Sequence, residues 1–436
     1  MPEFINLTST RSSSDELQDY LAKRKLEYKA ISQTVSDIIA DVRINGDDAL
    51  RNYSLKFDSF IVDSKSIRVN NEEKEQAIKT INTDQKKPIE FAYDRIYKYH
   101  EQQVPFDKSW VDQEGVELGW KWSPIERCAL YVPGGTAPLT SSVLMMGVPA
   151  QVANVPHKVM VVPPKHSLNP LILYAASLVG IDEIYKLGGS QAIAALAYGT
   201  ASVKPVDKIF GPGNAYVSEA KRQVFGDVGI DMIAGPSEVV IICDENAHVA
   251  WIAADLIAQA EHDYLAKPIV IVTNEHVGMA IHNEVLNQTK QQPREEIITQ
   301  SWHKHGCIIS VNSINDAIEV ANKIGPEHLQ LAVNLPNRYI ECIKNAGAVF
   351  LGEYTPESIG DYIAGPSHVL PTSGAAKYTS GLSVIDFFKR TSFIQTPAQA
   401  LGRIGPAAIK LAQSEELIGH ANAIQIRLNY LKYMNQ

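Results

Sequence analysis

From Ala129 onward, short apolar runs alternate with segments of helical length, and this alternation constrains the fold more than any other feature. The runs are rich in valine and isoleucine, which is typical of parallel strands buried on both faces. The first series of predicted strands is Ala129–Val132, Val159–Val162, Glu183–Leu187 and Lys208–Phe210. The second series is Val239–Cys243, Ile269–Val272, Cys307–Val311, Leu329–Val333 and Ala348–Leu351. Because such alternation forms βαβ units, we expect an α/β protein with two doubly wound, incomplete Rossmann-like domains and a crevice between them.

Helices are predicted between these strands and at both ends of the chain. Those between strands are Ser142–Val152, Leu171–Val179, Ser190–Tyr198, Ala215–Val224, Val249–His262, Gly278–Gln288, Asn315–Ile324 and Arg338–Asn345. The N-terminal part is expected to be mostly helical, with helices at Ile31–Ile44, Glu72–Ile81 and, after Pro88, Ile89–His100. The tail is expected to be helical over Ala398–Leu431, with a break at Gly405-Pro406.

A chain of 436 residues is long enough for two or three domains. We predict an N-terminal helical extension over residues 1–26 and a C-terminal helical tail over 382–436. Between them we predict a first α/β domain formed by 27–129 and 239–381, and a second formed by 130–238.

Composition excludes several classes of protein. The net charge of −9 and the absence of a run of basic residues argue against a nucleic-acid-binding surface. No apolar stretch approaches the ~20 residues that span a bilayer, and the polar N-terminus does not resemble a secretory signal. The four cysteines form no Cys-x-x-Cys pair, and Cys243 and Cys307 lie in apolar runs as buried small residues. A reduced, cytoplasmic enzyme that needs no membrane fits this composition.

Three Gly-Pro turns each carry a titratable residue two positions after the proline. They are Gly325-Pro326-Glu327-His328, Gly235-Pro236-Ser237-Glu238, and Gly365-Pro366-Ser367-His368. The last belongs to the stretch 360–374, which also contains Asp361 and is too rich in glycine and proline for regular structure. Any one of these turns alone would be an ordinary loop with solvated polar residues. Together they predict three loops that meet at one site.

Three glycine-rich turns follow predicted strands of the first series. They are Tyr131-Val132-Pro133-Gly134-Gly135, Leu187-Gly188-Gly189-Ser190-Gln191 and Phe210-Gly211-Pro212-Gly213-Asn214. The usual Gly-x-Gly-x-x-Gly fingerprint is absent. Because open α/β sheets bind ligands at the carboxyl ends of their strands, the three turns could hold a nucleotide phosphate. On the residues alone, nucleotide binding and ordinary tight turns are equal alternatives.

A metal site is suggested by Gln259 and His262, which lie three residues apart on one face of a predicted helix. With Asp361 and His420 they form a set of nitrogen and oxygen ligands that suits zinc or another first-row divalent ion. The alternative for the Gln-x-x-His pair alone is a helix end whose polar residues face water.

Glu327 and His328 are the candidates for proton transfer, because a carboxylate and an imidazole are the usual groups for it near neutral pH. As neighbours in an extended segment they are expected to point in opposite directions. The alternative is that one is solvated and the other is hydrogen-bonded in the core. The other histidines, including His100 and His282, are expected at the surface.

Several of these motifs together resemble the histidinol dehydrogenase family. The resemblance rests on the turn that begins at Tyr131, on the runs 188–200 and 208–214, and on 231–238, 259–263, 325–329 and the stretch 360–383. It covers nearly the whole chain in the expected order. It departs at Glu416, where the family usually has glycine, and at Met145-Met146.

The resemblance implies a zinc-dependent enzyme that oxidises L-histidinol to L-histidine with two NAD molecules, through an aldehyde that stays bound. It implies one zinc ion per subunit and a homodimer whose tail completes the partner's active site, with residues 130–238 carrying most of the NAD site. It assigns Gln259, His262, Asp361 and His420 to zinc, Glu327 and His328 to catalysis, and Tyr131, Gln191 and Asn214 to NAD. It assigns substrate contacts to Ser237, Gln259, His262, His328, Asp361, His368, Glu415 and His420.

In this resemblance His328 takes the alcohol proton, and Glu327 activates the water that hydrates the aldehyde. The residues support part of this, because no cysteine has a neighbourhood in sequence that would activate a thiolate for aldehyde oxidation. Zinc could act as a Lewis acid or anchor the substrate, and the family favours anchoring. Two alternatives stay open: a dehydrogenase of the same scaffold for another amino or sulfonated alcohol, and a metal-dependent amidohydrolase. A purely structural role would leave the clustered titratable residues unexplained.

Overall fold

The computed structural model describes residues 1–8, 12–23, 29–63, 65–134, 139–164 and 168–434. The predicted α/β class with helical ends is confirmed. The chain divides into two compact units, one formed by residues 1–103 and 125–386 and the other by 104–124 and 387–436. The predicted domain boundaries at 129/130, 238/239 and 381/382 stay predictions, and the boundary at 26/27 lies outside the described residues.

The strands are β1 (Glu3–Asn6), β2 (Lys108–Val111), β3 (Glu117–Pro124), β4 (Arg127–Tyr131), β5 (His157–Val162), β6 (Glu183–Lys186), β7 (Lys208–Phe210), β8 (Gly229–Ile230), β9 (Glu238–Cys243), β10 (Lys267–Val272), β11 (Cys307–Ser310), β12 (His328–Ala332), β13 (Ala348–Leu351) and β14 (Phe388–Gln395). The helices are α1 (Ser12–Lys23), α2 (Lys29–Asn45), α3 (Asp47–Asp58), α4 (Asn71–Lys79), α5 (Thr83–Glu101), α6 (Thr140–Val152), α7 (Pro170–Leu178), α8 (Gly189–Tyr198), α9 (Ala215–Val224), α10 (Val249–Ala260), α11 (Glu275–Thr289), α12 (Glu295–His305), α13 (Ile314–Ile324), α14 (Glu357–Tyr362), α15 (Ala398–Ser414) and α16 (Ile418–Met434). Short 3-10 helices occupy Pro336–Cys342, Ala375–Lys377 and Val384–Phe387.

The first unit contains two parallel sheets with the same winding. The five-stranded sheet has the order β6-β5-β4-β7-β8, and the six-stranded sheet has the order β1-β11-β10-β9-β12-β13. In the five-stranded sheet, successive strands run outward from β4 on one side and then on the other. In the six-stranded sheet the strands from β9 onward do the same, and β1 adds at the edge beside β11. The winding therefore reverses beside β4 in one sheet and beside β9 in the other, and such switch points form crevices.

Both sheets are covered on their two faces, as the apolar runs predict. Every residue of β9 and β10 is buried. Separate apolar clusters pack on the two faces of the six-stranded sheet, one around Ile309 and Leu329 and the other around Val270 and Trp302. Burial of this kind is what makes continuous β-branched runs favourable in parallel strands.

The second unit consists of an antiparallel sheet and a helix pair. β3 pairs with β2 on one side and with β14 on the other, and α15 packs against α16. Gly405 of α15 lies close to Leu428 of α16, since a Cβ at this glycine would lie 3.2 Å from the Leu428 side chain. The sequence pattern predicted the helices of this unit but not its sheet, nor strand β1, which adds to β11 in the first unit.

Three expectations about helices are wrong. Residues 338–345 form no α-helix, because a 3-10 helix ends at Cys342. The predicted break at Gly405-Pro406 does not occur, since α15 runs through it, and Pro406 is exposed so that water can satisfy the carbonyl it leaves free. Helix α5 begins before the exposed Pro88, because Asn82 and Gln85 form a capping box at its start.

The expectation that His100 and His282 lie at the surface is also wrong. His100 at the end of α5 is 0% exposed, and His282 on α11 is 3% exposed. Each ring is held by a hydrogen bond: His100 Nδ1 lies 2.7 Å from Gln103 Oε1, and Trp302 Nε1 donates to His282 Nδ1 at 3.1 Å. Within the described residues, no helix is both long and apolar enough to span a membrane.

Candidate active site

The candidate active site lies at the amino ends of two central strands of the six-stranded sheet. β9 begins at Glu238, and its neighbour β12 begins at His328. Helix α10 follows β9 and returns to this edge, so that Gln259 near its end and His262 just beyond it lie there too. This is the edge opposite to the carboxyl ends at which open α/β sheets usually bind ligands.

His328 is held by the backbone of Glu238. Its Nδ1 lies 3.1 Å from the Glu238 carbonyl oxygen, which can only accept, so Nδ1 carries the proton. Nε2 is buried with no hydrogen-bond partner in the described residues and lies 3.7 Å from Asp361 Oδ1. Burial lowers the pKa of His328, which keeps the ring neutral near pH 7. The ring therefore presents an available proton acceptor to the site.

The side chains of Glu327 and His328 lie close together, so the expectation that the two point apart is wrong. Glu327 precedes the first residue of β12, where the alternation of a strand does not apply, and both residues are buried. Its Oε2 accepts a hydrogen bond of 2.9 Å from the Glu238 N–H and lies 3.9 Å from His328 Nδ1. Burial raises the pKa of Glu327 well above its usual range. A carboxylate with a raised pKa is suited to accept a proton near neutral pH.

A group of possible metal ligands lies beside His328. Ligand atoms of His262, Glu357 and Asp361 all lie within 4.8 Å of one another. Gln259 is 0% exposed, yet neither its Oε1 nor its Nε2 has a hydrogen-bond partner in the described residues. A buried amide without partners is costly, and a cation would satisfy its oxygen. The carbonyls at the end of α10 also favour a cation here, so the residues present fit a bound zinc ion.

Glu357 is a site residue that was not predicted from the sequence. It is 2% exposed, and its Oε1 lies 3.9 Å from His328 Nδ1. Burial, together with the charges of Asp361 and Glu327, raises its pKa well above the usual range. It lies four residues before Asp361 on α14, a spacing that places both on one helix face and could have identified it. Because α14 extends to Tyr362, the expectation that 360–374 lacks regular structure is wrong for its first three residues.

His368 has hydrogen-bond partners at both ring nitrogens. Nδ1 donates to the Asp361 carbonyl oxygen at 2.9 Å, and Nε2 lies 3.3 Å from Ser142 Oγ. Burial lowers the pKa of His368. Ser237 is half-buried, and its carbonyl accepts from the Lys267 N–H at 2.9 Å. His368 thus contacts Asp361, and Ser237 directly precedes Glu238 in the chain. Their roles as substrate contacts stay predictions.

Glu415 and His420 belong to the second unit. Glu415 follows α15, His420 lies in the first turn of α16, and both are exposed. Their roles in binding zinc and substrate stay predictions.

The glycine turns lie at the carboxyl edge of the five-stranded sheet, as expected. Tyr131 ends β4 and is 3% exposed, and its hydroxyl accepts from the Gly189 N–H at 3.1 Å. Gln191 is 1% exposed, and both of its polar side-chain atoms lack partners in the described residues. Asn214 is exposed and caps α9 by accepting from the N–H groups of the second and third residues that follow it. Gly135 lies outside the described residues.

The side chain of Gln191, which is buried without hydrogen-bond partners in the described residues, indicates a ligand at this edge. A Cβ on Gly189 would lie 2.6 Å from Gln191 Oε1, so the side chain folds over a glycine whose φ is +66°. The buried amide of Gln191 lacks hydrogen-bond partners, and Gly189 has no side chain that would cover the backbone beside it. A bound ligand with hydrogen-bonding atoms would satisfy this amide. The residues of this edge therefore fit a dinucleotide.

The chain matches the sequence profile of the histidinol dehydrogenase family over residues 21–428. The chain belongs to the histidinol dehydrogenase family. It is 48% identical to the histidinol dehydrogenase of Rhodospirillum rubrum over 94% of this chain and 95% of that protein. It is 50% identical to the histidinol dehydrogenase of Agrobacterium fabrum over 96% and 98% of the two chains. The crystal structure of histidinol dehydrogenase from Elizabethkingia anophelis superposes with a TM-score of 0.93 at 38% identity, covering 99% of both chains.

Membership of the histidinol dehydrogenase family confirms the resemblance seen in the motifs and the prediction that the chain is a dehydrogenase. The fold agrees with that of the Elizabethkingia anophelis protein, as the superposition over nearly the whole chain requires.

Proposed function

We propose that this chain catalyses the oxidation of L-histidinol to L-histidine with two NAD molecules and one zinc ion per subunit, as the last steps of histidine biosynthesis. The observation that carries the proposal is the neutral ring of His328, whose Nε2 is available beside the group formed by His262, Glu357 and Asp361. A proton acceptor next to a set of cation ligands is the arrangement that an alcohol dehydrogenase of this kind needs.

Four residues would hold the zinc ion: Gln259, His262, Asp361 and His420 of the partner subunit. When bound there, zinc would anchor the imidazole and the amine of the substrate. In the first oxidation His328 takes the hydroxyl proton at Nε2, and a bound NAD would accept the hydride from the carbon that carries this hydroxyl group. Burial favours this step, because the lowered pKa of His328 keeps Nε2 unprotonated before the substrate arrives.

The second oxidation begins with water. Glu327 takes a proton from water as the water oxygen bonds to the aldehyde carbon, and it returns this proton to the aldehyde oxygen to give the hydrate. A second bound NAD would accept the hydride from the hydrate carbon. Glu238 holds the Glu327 carboxylate by its N–H, which orients the base. Overall, one alcohol, one water and two NAD give one carboxylate, two NADH and three protons.

A cysteine thiolate is not favoured for the second step. Burial raises the pKa of the Cys128 thiol to about 12 and that of the Cys243 thiol to about 12. Cys307 is buried in a central strand, and Cys342 lies on the exposed 3-10 helix, so none of the four is a described part of this site. Water activated by Glu327 therefore fits the residues better than a covalent thioester.

Tyr131, Gln191 and Asn214 are proposed to line the NAD site at the carboxyl edge of the five-stranded sheet. The proposed substrate contacts are Ser237, His368 and, from a partner subunit in a homodimer, Glu415 and His420. We place the enzyme in the cytoplasm, where histidine is made.

Incubation of the purified protein with L-histidinol and NAD, followed by chromatography of the products, tests this proposal. L-Histidine is the expected product. Oxidation of another amino or sulfonated alcohol in preference to L-histidinol would contradict the substrate, and hydrolysis of an amide without NAD binding would contradict the reaction.

A further inference from the structure

A buried ion pair lies behind the glycine turn 211–214 and has no part in the proposed chemistry. The side chains of Lys221 on α9 and Asp231 are 2% and 1% exposed, and the ammonium contacts Asp231 Oδ1 directly. Both partners also hold Gly211. Lys221 Nζ donates to the Gly211 carbonyl oxygen at 2.9 Å, and Asp231 Oδ2 accepts from the Gly211 N–H at 2.7 Å. One ion pair therefore fixes both polar backbone groups of a single glycine.

Gly211 is a residue whose conformation needs such support. Its φ is +113°, in the region that side chains rarely adopt. A Cβ there would lie 2.3 Å from the Tyr131 carbonyl oxygen and 2.8 Å from Met146 Sδ. The turn is thus packed tightly against the end of β4, at the switch point of the five-stranded sheet. Unusual backbone conformations persist where the surroundings fix them.

A buried ion pair is an expensive way to stabilise a fold. Taking both charges out of water costs free energy, and apolar residues of similar volume often give equal or greater stability. The pair does supply a donor and an acceptor at fixed positions, which apolar residues cannot. Its contacts with Gly211 are therefore the feature that distinguishes it from ordinary core packing.

We propose that Lys221 and Asp231 are positioning residues that hold the turn 211–214 in the shape that receives the diphosphate of a dinucleotide. This proposal rests on the proposed function, which places NAD at this edge of the sheet. Because both side chains are buried and bond to Gly211, the pair acts through this glycine and not by touching the cofactor.

The test compares two double variants of the full-length, zinc-loaded enzyme. Lys221→Met with Asp231→Asn removes the charges together, so that neither is left buried alone. The control, Arg127→Met with Glu183→Gln, removes another ion pair of the same sheet, whose atoms lie 2.8 Å apart at its amino edge. For each enzyme we would measure kcat, the KM values for NAD and L-histidinol, the Kd for NADH and the zinc content.

We expect the first variant to raise the KM for NAD and the Kd for NADH about tenfold, equivalent to about 1.4 kcal/mol. Its KM for L-histidinol and its zinc content should stay within about twofold, and the control should leave all these values within about twofold. If the double variant does not fold, Asp231→Glu is measured in the same way, because it keeps both charges paired but displaces the carboxylate that accepts from the Gly211 N–H.

An unchanged KM for NAD in a folded variant, or an equal rise in both KM values, would overturn the positioning role alone. Failure of the wild-type enzyme to bind NADH would overturn the proposed function together with this inference. The wild-type measurement thus separates the two failures.

Discussion

The backbone of Glu238 orients the side chain of His328, because its carbonyl oxygen lies 3.1 Å from His328 Nδ1. This contact leaves Nε2 as the proton acceptor of the ring. The N–H of the same residue donates to Glu327 Oε2 at 2.9 Å, so one residue of β9 positions both proposed bases. Since Glu238 also begins a fully buried strand, the two bases rest on the rigid core of the sheet.

The two bases should have separable roles. His328→Asn should slow oxidation of L-histidinol about 10²- to 10⁴-fold, because it removes the acceptor for the hydroxyl proton. Glu327→Gln should spare that step and slow oxidation of supplied histidinaldehyde by a similar factor. Single-turnover measurements with each substrate separate the two steps. Equal losses in both half-reactions for both variants would contradict this division.

Two buried glutamines provide a matched pair of variants. Neither Gln259 nor Gln191 has a side-chain partner in the described residues, so alanine at either position removes no protein hydrogen bond. Gln259→Ala should weaken zinc binding at least ~10-fold and leave NADH binding unchanged. Gln191→Ala should weaken NADH binding and leave the zinc content unchanged. Metal analysis and NADH fluorescence distinguish these results, and the same pattern in both variants would contradict the assignment of two sites.

A shared active site predicts complementation between inactive chains. Subunits carrying Glu327→Gln should be mixed with subunits carrying His420→Asn and allowed to exchange. Each hybrid dimer would contain one intact site, because one chain supplies Glu327 and the other supplies His420. Random exchange should restore about a quarter of wild-type activity. No recovery after exchange has been demonstrated by mass spectrometry would count against sites shared between subunits.

His100 should make the stability of the protein depend on pH. Its ring is 0% exposed, and burial lowers its pKa below the ordinary value of 6.5. Below pH 6.5 the unfolded chain therefore binds a proton that the folded chain does not, and the free energy of unfolding falls as the pH falls. His100→Phe should reduce this slope by up to ~1.4 kcal/mol per pH unit.

Urea unfolding at several pH values from 7 to 5 measures the slope. Gln103→Met is the control, because it removes the hydrogen bond to His100 but keeps the buried imidazole. It should lower stability and keep the slope or make it steeper, because the hydrogen bond from Gln103 raises the pKa of His100 and its loss lowers that pKa further. A slope that is the same in the wild type and in His100→Phe would contradict the role of His100.

The sequence predicted those elements whose pattern is local. Continuous valine and isoleucine runs such as Val239–Cys243 identify buried parallel strands, because both faces of the sheet need apolar residues. It did not predict β1 or the antiparallel sheet, whose strands are short or exposed and depend on partners distant in the chain. The helix breaks predicted at Pro88 and Pro406 do not occur. Both prolines are exposed, so water can satisfy the carbonyl that each leaves without a helical hydrogen bond.

The candidate site was predicted in part. The Gly-Pro turns and the loop 360–374 identified Glu327, His328 and Asp361. In the fold, Glu327 lies 3.9 Å from one ring nitrogen of His328, and Asp361 lies 3.7 Å from the other. Glu357 was missed because its four-residue spacing from Asp361 is informative only if this segment is a helix, and the segment was expected to be irregular. The roles of Lys221 and Asp231 could not be predicted either, because only the folded turn shows that both hold Gly211.

The most direct test of the account is the number of NADH molecules formed per L-histidinol consumed. Purified protein would be treated with a chelator and assayed before and after zinc is added. We predict two NADH per L-histidinol, with activity restored only by the metal. One NADH with release of free aldehyde, or full activity without metal, would contradict the proposed four-electron oxidation at a zinc site.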